Sequence, residues 1–130
     1  MNSRIELILD SSALLALLLG EPGEDSVRAA LDKAAIGAVN LAEVAAKLVL
    51  RGALPAKVQE MLSGLKLTVL PFDERAALEN ADFVPLARTH GLSLGDRACL
   101  CLSRSLGVPA LTCDRRWQIE GLDVEVRFLR

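Results

Sequence analysis

At 130 residues the chain is long enough to bury a core of its own and reads as a single domain, residues 1–130. A formal net charge of −2 excludes a bulk positive field as the means of capturing nucleic acid, and an aromatic content of 3% excludes a stacking platform for single strands. The longest unbroken apolar run, Ala13–Leu19, is far too short to span a bilayer, and the opening MNSRIELILD carries Glu6 and no cleavage pattern. A cytoplasmic protein with no membrane role is the expectation.

In chain order, Ile5–Leu9 reads as a strand, apolar almost throughout as a central parallel strand is. Ser11 or Ser12 then caps a short helix through Leu19, which GEPG breaks. Its ALLALLL run is apolar on every side, so it is buried in the core or under a partner. Glu24–Ala35 reads as a helix and Ile36–Val39 as a short strand. Asn40 caps a helix over Leu41–Arg51, and Gly52 ends it. Pro55 opens another helix, where its missing N–H costs nothing. Leu67–Leu70 follows as a strand. Asp73 caps a helical stretch interrupted at Pro85 and stopped at Gly91. A helix from Leu94 to Leu106 ends at Gly107, and Pro109 leads into the strand Ala110–Thr112. The last strand, Val124–Phe128, alternates apolar and charged residues, the pattern of an edge with one wet face. Strands alternating with helices make an α/β three-layer sandwich, a central, mostly parallel sheet flanked by helices. Hydrophobic residues at 52% leave apolar surface for a partner or a second copy. The three cysteines carry no disulfide pattern and are expected to pack as small hydrophobes.

Carboxylates mark the element ends. Asp10 closes the first strand and Asp114 follows Ala110–Thr112, so both reach one rim if those strands are neighbours. Glu43 and Asp96 fall in first helical turns, where the macrodipole favours acids. One cleft can thus hold Asp10, Glu43, Asp96 and Asp114. Crowded like charges raise carboxyl pKa values, and a hard divalent cation, Mg²⁺ or Mn²⁺, relieves that repulsion. The plainer reading is capping: acids are common in first turns, and Asp10 is placed to cap the helix that follows it. The only histidine, His90, sits at a helix C-terminus, so Ser–His and Cys–His schemes have no base.

LDSSAL at 9–14, NLAEVAAKL at 40–48, HGLSLGDRACL at 90–100 and LTCDRRW at 111–117 resemble the four acidic motifs of the PIN domain, most closely those of VapC toxins from type II toxin–antitoxin systems. The resemblance covers nearly the whole chain in order and spacing. It implies an Mg²⁺- or Mn²⁺-dependent endoribonuclease that cleaves phosphodiester bonds with metal-activated water, a growth-inhibiting toxin held inactive by a VapB-type antitoxin. It assigns metal binding and catalysis to Asp10, Glu43, Asp96 and Asp114, with Thr112 and Ser11 or Ser12 supporting the acids. It also implies a homodimer and an RNA substrate, transfer RNA being the family-level guess.

Local cations then matter despite the negative total. Arg97, Arg115, Arg116 and Lys47 lie beside the acids and are candidate RNA contacts, or else plain solvated residues. Trp117 reads as a packing anchor rather than a stacking residue. The surfaces of Leu14–Leu19 and Val44–Leu50 are where an antitoxin helix is expected to lie. The alternative is a non-catalytic PIN-like interaction module with the same core. A receiver-type phosphate domain is disfavoured because 107–117 contains no lysine, and no basic recognition helix suggests a DNA-binding module.

Overall fold

The computed structural model describes residues 4–130, so the first three residues of MNSRIELILD lie outside it. Five strands form one sheet: β1 (Leu7–Leu9), β2 (Ala34–Gly37), β3 (Thr68–Leu70), β4 (Ala110–Thr112) and β5 (Val126–Phe128). Every pairing is parallel, in the order β3-β2-β1-β4-β5. The helices are α1 (Ser11–Leu18), α2 (Glu24–Ala30), α3 (Ala38–Leu50), α4 (Pro55–Gly64), α5 (Glu74–Glu79), α6 (Val84–His90) and α7 (Leu94–Leu106).

Alternation along the strands builds two cores. Leu7, Leu9, Ala34 and Ile36 face one side and pack with Leu14, Val27 and Val44. Ile8, Ala35 and Ala110 face the other and pack with Leu100, Phe83 and Trp117. The result is the expected three layers, with the sheet wholly parallel. Each fully buried Leu or Ile side chain contributes about 1.5–3 kcal/mol. Arg127 is exposed while Val126 and Phe128 are half-buried, so β5 is the one-sided edge its pattern implied. Among the described residues no helix is long and apolar enough to cross a membrane.

The chain builds β1, β2 and β3 outward in one direction, then returns to place β4 and β5 on the far side of β1. The switch point therefore lies between β1 and β4. Crevices at the carboxyl ends of strands at such a point are where parallel sheets bind ligands. Asp10 and Asp114 end or follow those two strands.

Several boundaries differ from the sequence reading. The second helix stops at Ala30 and a short 3-10 turn, Leu31–Lys33, leads into β2 at Ala34, because Ala34–Ile36 pair with Leu7–Leu9. Pro85 begins α6 instead of breaking it; the interruption is a 3-10 turn at Asn80–Phe83. Neither Ser11 nor Ser12 caps α1, since the N-cap position belongs to Asp10. α3 starts at Ala38 behind an extended Gly37, so Asn40 is no cap and Glu43 sits in the second turn. A Cβ on Gly37 would come within 2.6 Å of the Leu102 Cδ1 methyl, so a larger residue at this junction needs that side chain to move.

Candidate functional site

Asp10 leaves β1 in an extended conformation and holds the N-cap position of α1, yet its side chain makes no cap hydrogen bond. The carboxylate is only 4% exposed. Its Oδ2 accepts hydrogen bonds from Ser12 Oγ and Thr112 Oγ1, each at 2.8 Å. Ser12 Oγ in turn accepts the Cys113 N–H at 2.9 Å, and Thr112 Oγ1 accepts that of Asp114 at 3.0 Å. The ends of β1 and β4 are thus stitched together through one carboxylate. Burial raises the Asp10 pKa; the two hydroxyls pull it down, and the charge of Asp96 adds to the rise.

Asn40 joins α3 to this end of the sheet. Its side chain is fully buried and the two Nδ2 hydrogens are shared among four acceptors within reach, Gly95 O (3.1 Å), Ser11 Oγ (3.2 Å), Glu43 Oε1 (3.3 Å) and Asp10 Oδ1 (3.5 Å). Ser11 Oγ donates to Glu43 Oε1 at 2.6 Å. Glu43 Oε2 and Asp10 Oδ1 remain the less engaged oxygens of their carboxylates. Sequence reading missed Asn40, because an Asn before a helix is ordinarily its cap; a polar residue one turn ahead of a candidate ligand was the only available signal.

Gly95 lies against the same network. A Cβ there would sit 2.3–2.5 Å from the Glu43 carboxylate, far inside contact distance. Gly95→Ala is therefore expected to push Glu43 off its Ser11 and Asn40 partners and to weaken divalent-cation binding about ten- to a hundredfold with the fold retained. Calorimetric Mn²⁺ titration beside a circular-dichroism melt checks this, and an unchanged affinity refutes it.

Asp96 is a cap as well as a rim residue. It stands at the third position of α7 in a capping box: Oδ2 accepts the Ser93 N–H at 2.8 Å, and Ser93 Oγ accepts the Asp96 N–H at 3.2 Å. This fixes the carboxylate at the helix N-terminus and leaves Oδ1 outside the box. Beneath it, burial pushes the Cys99 thiol well up, with the charges of Asp10, Asp96 and Glu43 adding to the shift. Cys99 therefore stays an uncharged packing residue. Cys101 is buried too, and all three cysteines are free.

Asp114 accepts the Arg116 N–H at 2.9 Å, capping the 3-10 turn Arg115–Trp117. The Arg116 guanidinium then folds back onto the same carboxylate, Nε at 3.0 Å from both oxygens and Nη2 at 2.5 Å from Oδ2. Those hydrogen bonds hold the Asp114 pKa below the usual carboxylate value. The other candidate cations behave differently. Arg115 stacks 4.7 Å over the Phe128 ring, Arg97 Nε donates to Asn80 Oδ1 at 2.7 Å, and Lys47 is exposed. Trp117 is buried in the second core, as a packing anchor should be, and His90 Nδ1 lies 3.2 Å from Leu86 O on its own helix.

The donors on this rim are hard oxygens: carboxylates, flanked by hydroxyls and one amide. That set suits Mg²⁺ or Mn²⁺ and not a soft metal. Asp10 and Asp96 repel each other, and the side-chain-free face of Gly95 leaves the Glu43 carboxylate its place. Among the described residues no three His, Cys, Asp or Glu side chains are drawn together into a finished cage.

The family model described as the PIN domain matches residues 7–120. The chain belongs to the PIN-domain family. Its matched span includes Asp10, Glu43, Asp96 and Asp114. Solved structures similar in fold include DNA-bound VapBC from Salmonella typhimurium, at 15% identity and a TM-score of 0.73 over 97% of this chain and 99% of that one. FitAcB from Neisseria gonorrhoeae is 23% identical, with a TM-score of 0.66 over 92% of this chain and 95% of that one. VapBC-5 from Mycobacterium tuberculosis, a member of the VapBC family of toxin–antitoxin systems, is 23% identical, with a TM-score of 0.62 over 99% of both. At such identities the likeness is one of fold. Among curated proteins none is a significant sequence match to this PIN domain.

Proposed function

We propose that this PIN domain is a divalent-cation-dependent endoribonuclease and the toxin of a VapBC-type pair, with Asp10, Glu43, Asp96 and Asp114 as its metal-holding and catalytic residues. The observation that carries the reading is Asp10: a carboxylate almost fully buried at the switch point, held by Ser12 and Thr112, that does not cap the helix it precedes. A structural acid would have used that cap, and an unpaired buried charge is costly.

A Mg²⁺ or Mn²⁺ ion bound by these oxygens supplies Lewis acidity, activating water and neutralising charge on the phosphate. The protein's own residues do the rest. Ser12 and Thr112 fix the orientation of Asp10, Ser11 and Asn40 fix that of Glu43, and the capping box fixes Asp96. With the acids so held, little reorganisation remains when the scissile phosphate arrives. Exposed Lys47 and Arg115 offer phosphate contacts that the net charge alone does not, whereas Arg97 and Arg116 would have to leave Asn80 and Asp114 to do so.

The toxin role rests on the fold shared with VapBC complexes and on a receptive surface. The expected antitoxin face is narrower than the sequence suggested, since Leu14, Ala16 and Val44 are buried. What remains is a groove of about 380 Å³ between α1 and α3, lined by Ser12, Leu15, Leu19, Glu21, Lys47, Leu50, Arg51 and Arg130. Its Leu50 is 85% exposed, and the groove begins at Ser12, which touches Asp10. An apolar helix of a VapB-type antitoxin fits there, and exposed Leu54, Met61 and Val69 offer apolar surface for a second copy. A cytoplasmic location follows from the RNA substrate, transfer RNA included.

A non-catalytic PIN-like module is the second reading, favoured by the absence of a finished cage among the described residues. Expressing the chain with and without its neighbouring gene product, then mapping new 5′ ends in cellular RNA, separates the two. New ends that need the wild-type chain, vanish with the antitoxin and vanish in Asp96→Asn are the expected result. No new ends, or ends that persist in Asp96→Asn, would refute the nuclease.

A further inference from the structure

Of the two arginines that follow Asp114, only Arg116 turns to the acids. Its Nε and Nη2 are spent on both Asp114 oxygens, Nη2 lies 3.9 Å from Asp96 Oδ2, and Nη1 donates to Gly91 O at 2.7 Å. The guanidinium side chain is 57% exposed over carboxylates exposed by only 13% (Asp96) and 21% (Asp114). It thus lies on the outside of the rim. The backbone beneath it is held still by the Asp114 cap, the Thr112 hydroxyl and buried Trp117.

Asp114 Oδ1 already accepts the Arg116 backbone N–H and Nε–H, and Oδ2 accepts Nη2–H with the Nε–H shared between the two, so a cation that takes Asp114 as a ligand competes with the guanidinium for the same oxygens. We infer that Arg116 is a displaceable internal counter-ion: it neutralises Asp114 and Asp96 while no divalent cation is bound, and Mg²⁺ or Mn²⁺ competes it away. The inference rests on the metal-site reading proposed above.

Calorimetric Mn²⁺ binding to the full chain, compared among wild type, Arg116→Gln, Arg116→Lys and Arg115→Gln, tests this. Arg116→Gln is expected to bind Mn²⁺ about two- to fivefold more tightly, the size of effect an exposed ion pair exerts. Arg116→Lys, which keeps the charge and loses the fork, should fall between it and wild type. Arg115→Gln removes an equal charge from a side chain stacked on Phe128 and should leave the affinity unchanged. In parallel, the Arg116 Nε–H resonance in a ¹⁵N spectrum should shift on saturation with diamagnetic Mg²⁺. Equal affinities for wild type and Arg116→Gln, or an equal gain in Arg115→Gln, would overturn the counter-ion while leaving the metal site standing. No Mn²⁺ binding by any of the proteins would remove the metal site and the counter-ion with it.

Discussion

Asp10→Asn is expected to raise the melting temperature of the cation-free protein while cutting RNA cleavage about a hundredfold. The two effects have one cause. Ionised Asp10 is buried and faces the charge of Asp96, so its pKa lies above the ordinary 3.8. A group that holds its proton more tightly when folded contributes stability below its unfolded pKa, and that contribution is lost as pH rises through the folded value. At neutral pH without a cation, the charge is therefore a cost. An asparagine of the same shape turns its oxygen to Ser12 and Thr112 and carries no charge, and it gives up only the long 3.5 Å contact from Asn40 Nδ2. Scanning calorimetry in EDTA across pH gives the sign. The gap between variant and wild type should be near zero below pH 3.8 and widen as pH rises through the raised Asp10 pKa. Asp114, whose pKa is lowered, contributes stability that disappears in acid, but it is common to both proteins and cancels in the difference. A wild type more stable than Asp10→Asn at neutral pH in EDTA would mean that Asp10 is a structural residue.

Asn40→Ala is expected to cost about 2–3 kcal/mol and to weaken Mn²⁺ binding about ten- to a hundredfold. The amide is fully buried and faces four acceptors from different parts of the chain. Removing it leaves Gly95 O without that donor and lets Glu43 Oε1 turn away from the site. Asn40→Asp is expected to be worse at neutral pH, since it sets another carboxylate against Glu43 and Asp10, and to recover as pH falls and the new acid gains a proton to donate. Urea unfolding at two pH values, with Mn²⁺ titration alongside, measures both. A loss below about 0.5 kcal/mol for Asn40→Ala would show that the amide is not the hub its contacts make it.

How much of this was legible beforehand differs by residue. α7 and β4 were readable to the residue, because Gly107 ends the one and Pro109 leads into the other within a few positions. The start of α3 was not: a local rule made Asn40 a cap, whereas pairing of Ala34–Ile36 with β1 carried β2 forward and set the helix start at Ala38. Asp96 was legible both as cap and as rim acid, and it is both. The three arginines looked equivalent, yet one pairs with Asn80, one stacks on Phe128 and one holds the acids.

The sequence by itself determined the layering, because hydrophobic periodicity and element-ending residues act over a few positions of chain, and its four acidic motifs carried the resemblance to the family whose model matches residues 7–120. Only the tertiary structure decided that the Asp10 carboxylate turns to Thr112 and Ser12 with no cap bond to the backbone, that Asn40 ties α3 to α7, that Gly95 makes room for Glu43, and that Arg116 alone covers Asp114 and Asp96. Those facts depend on contacts between residues as far as 102 positions apart, as Thr112 is from Asp10, and such neighbours meet only when the sheet order brings β1 beside β4.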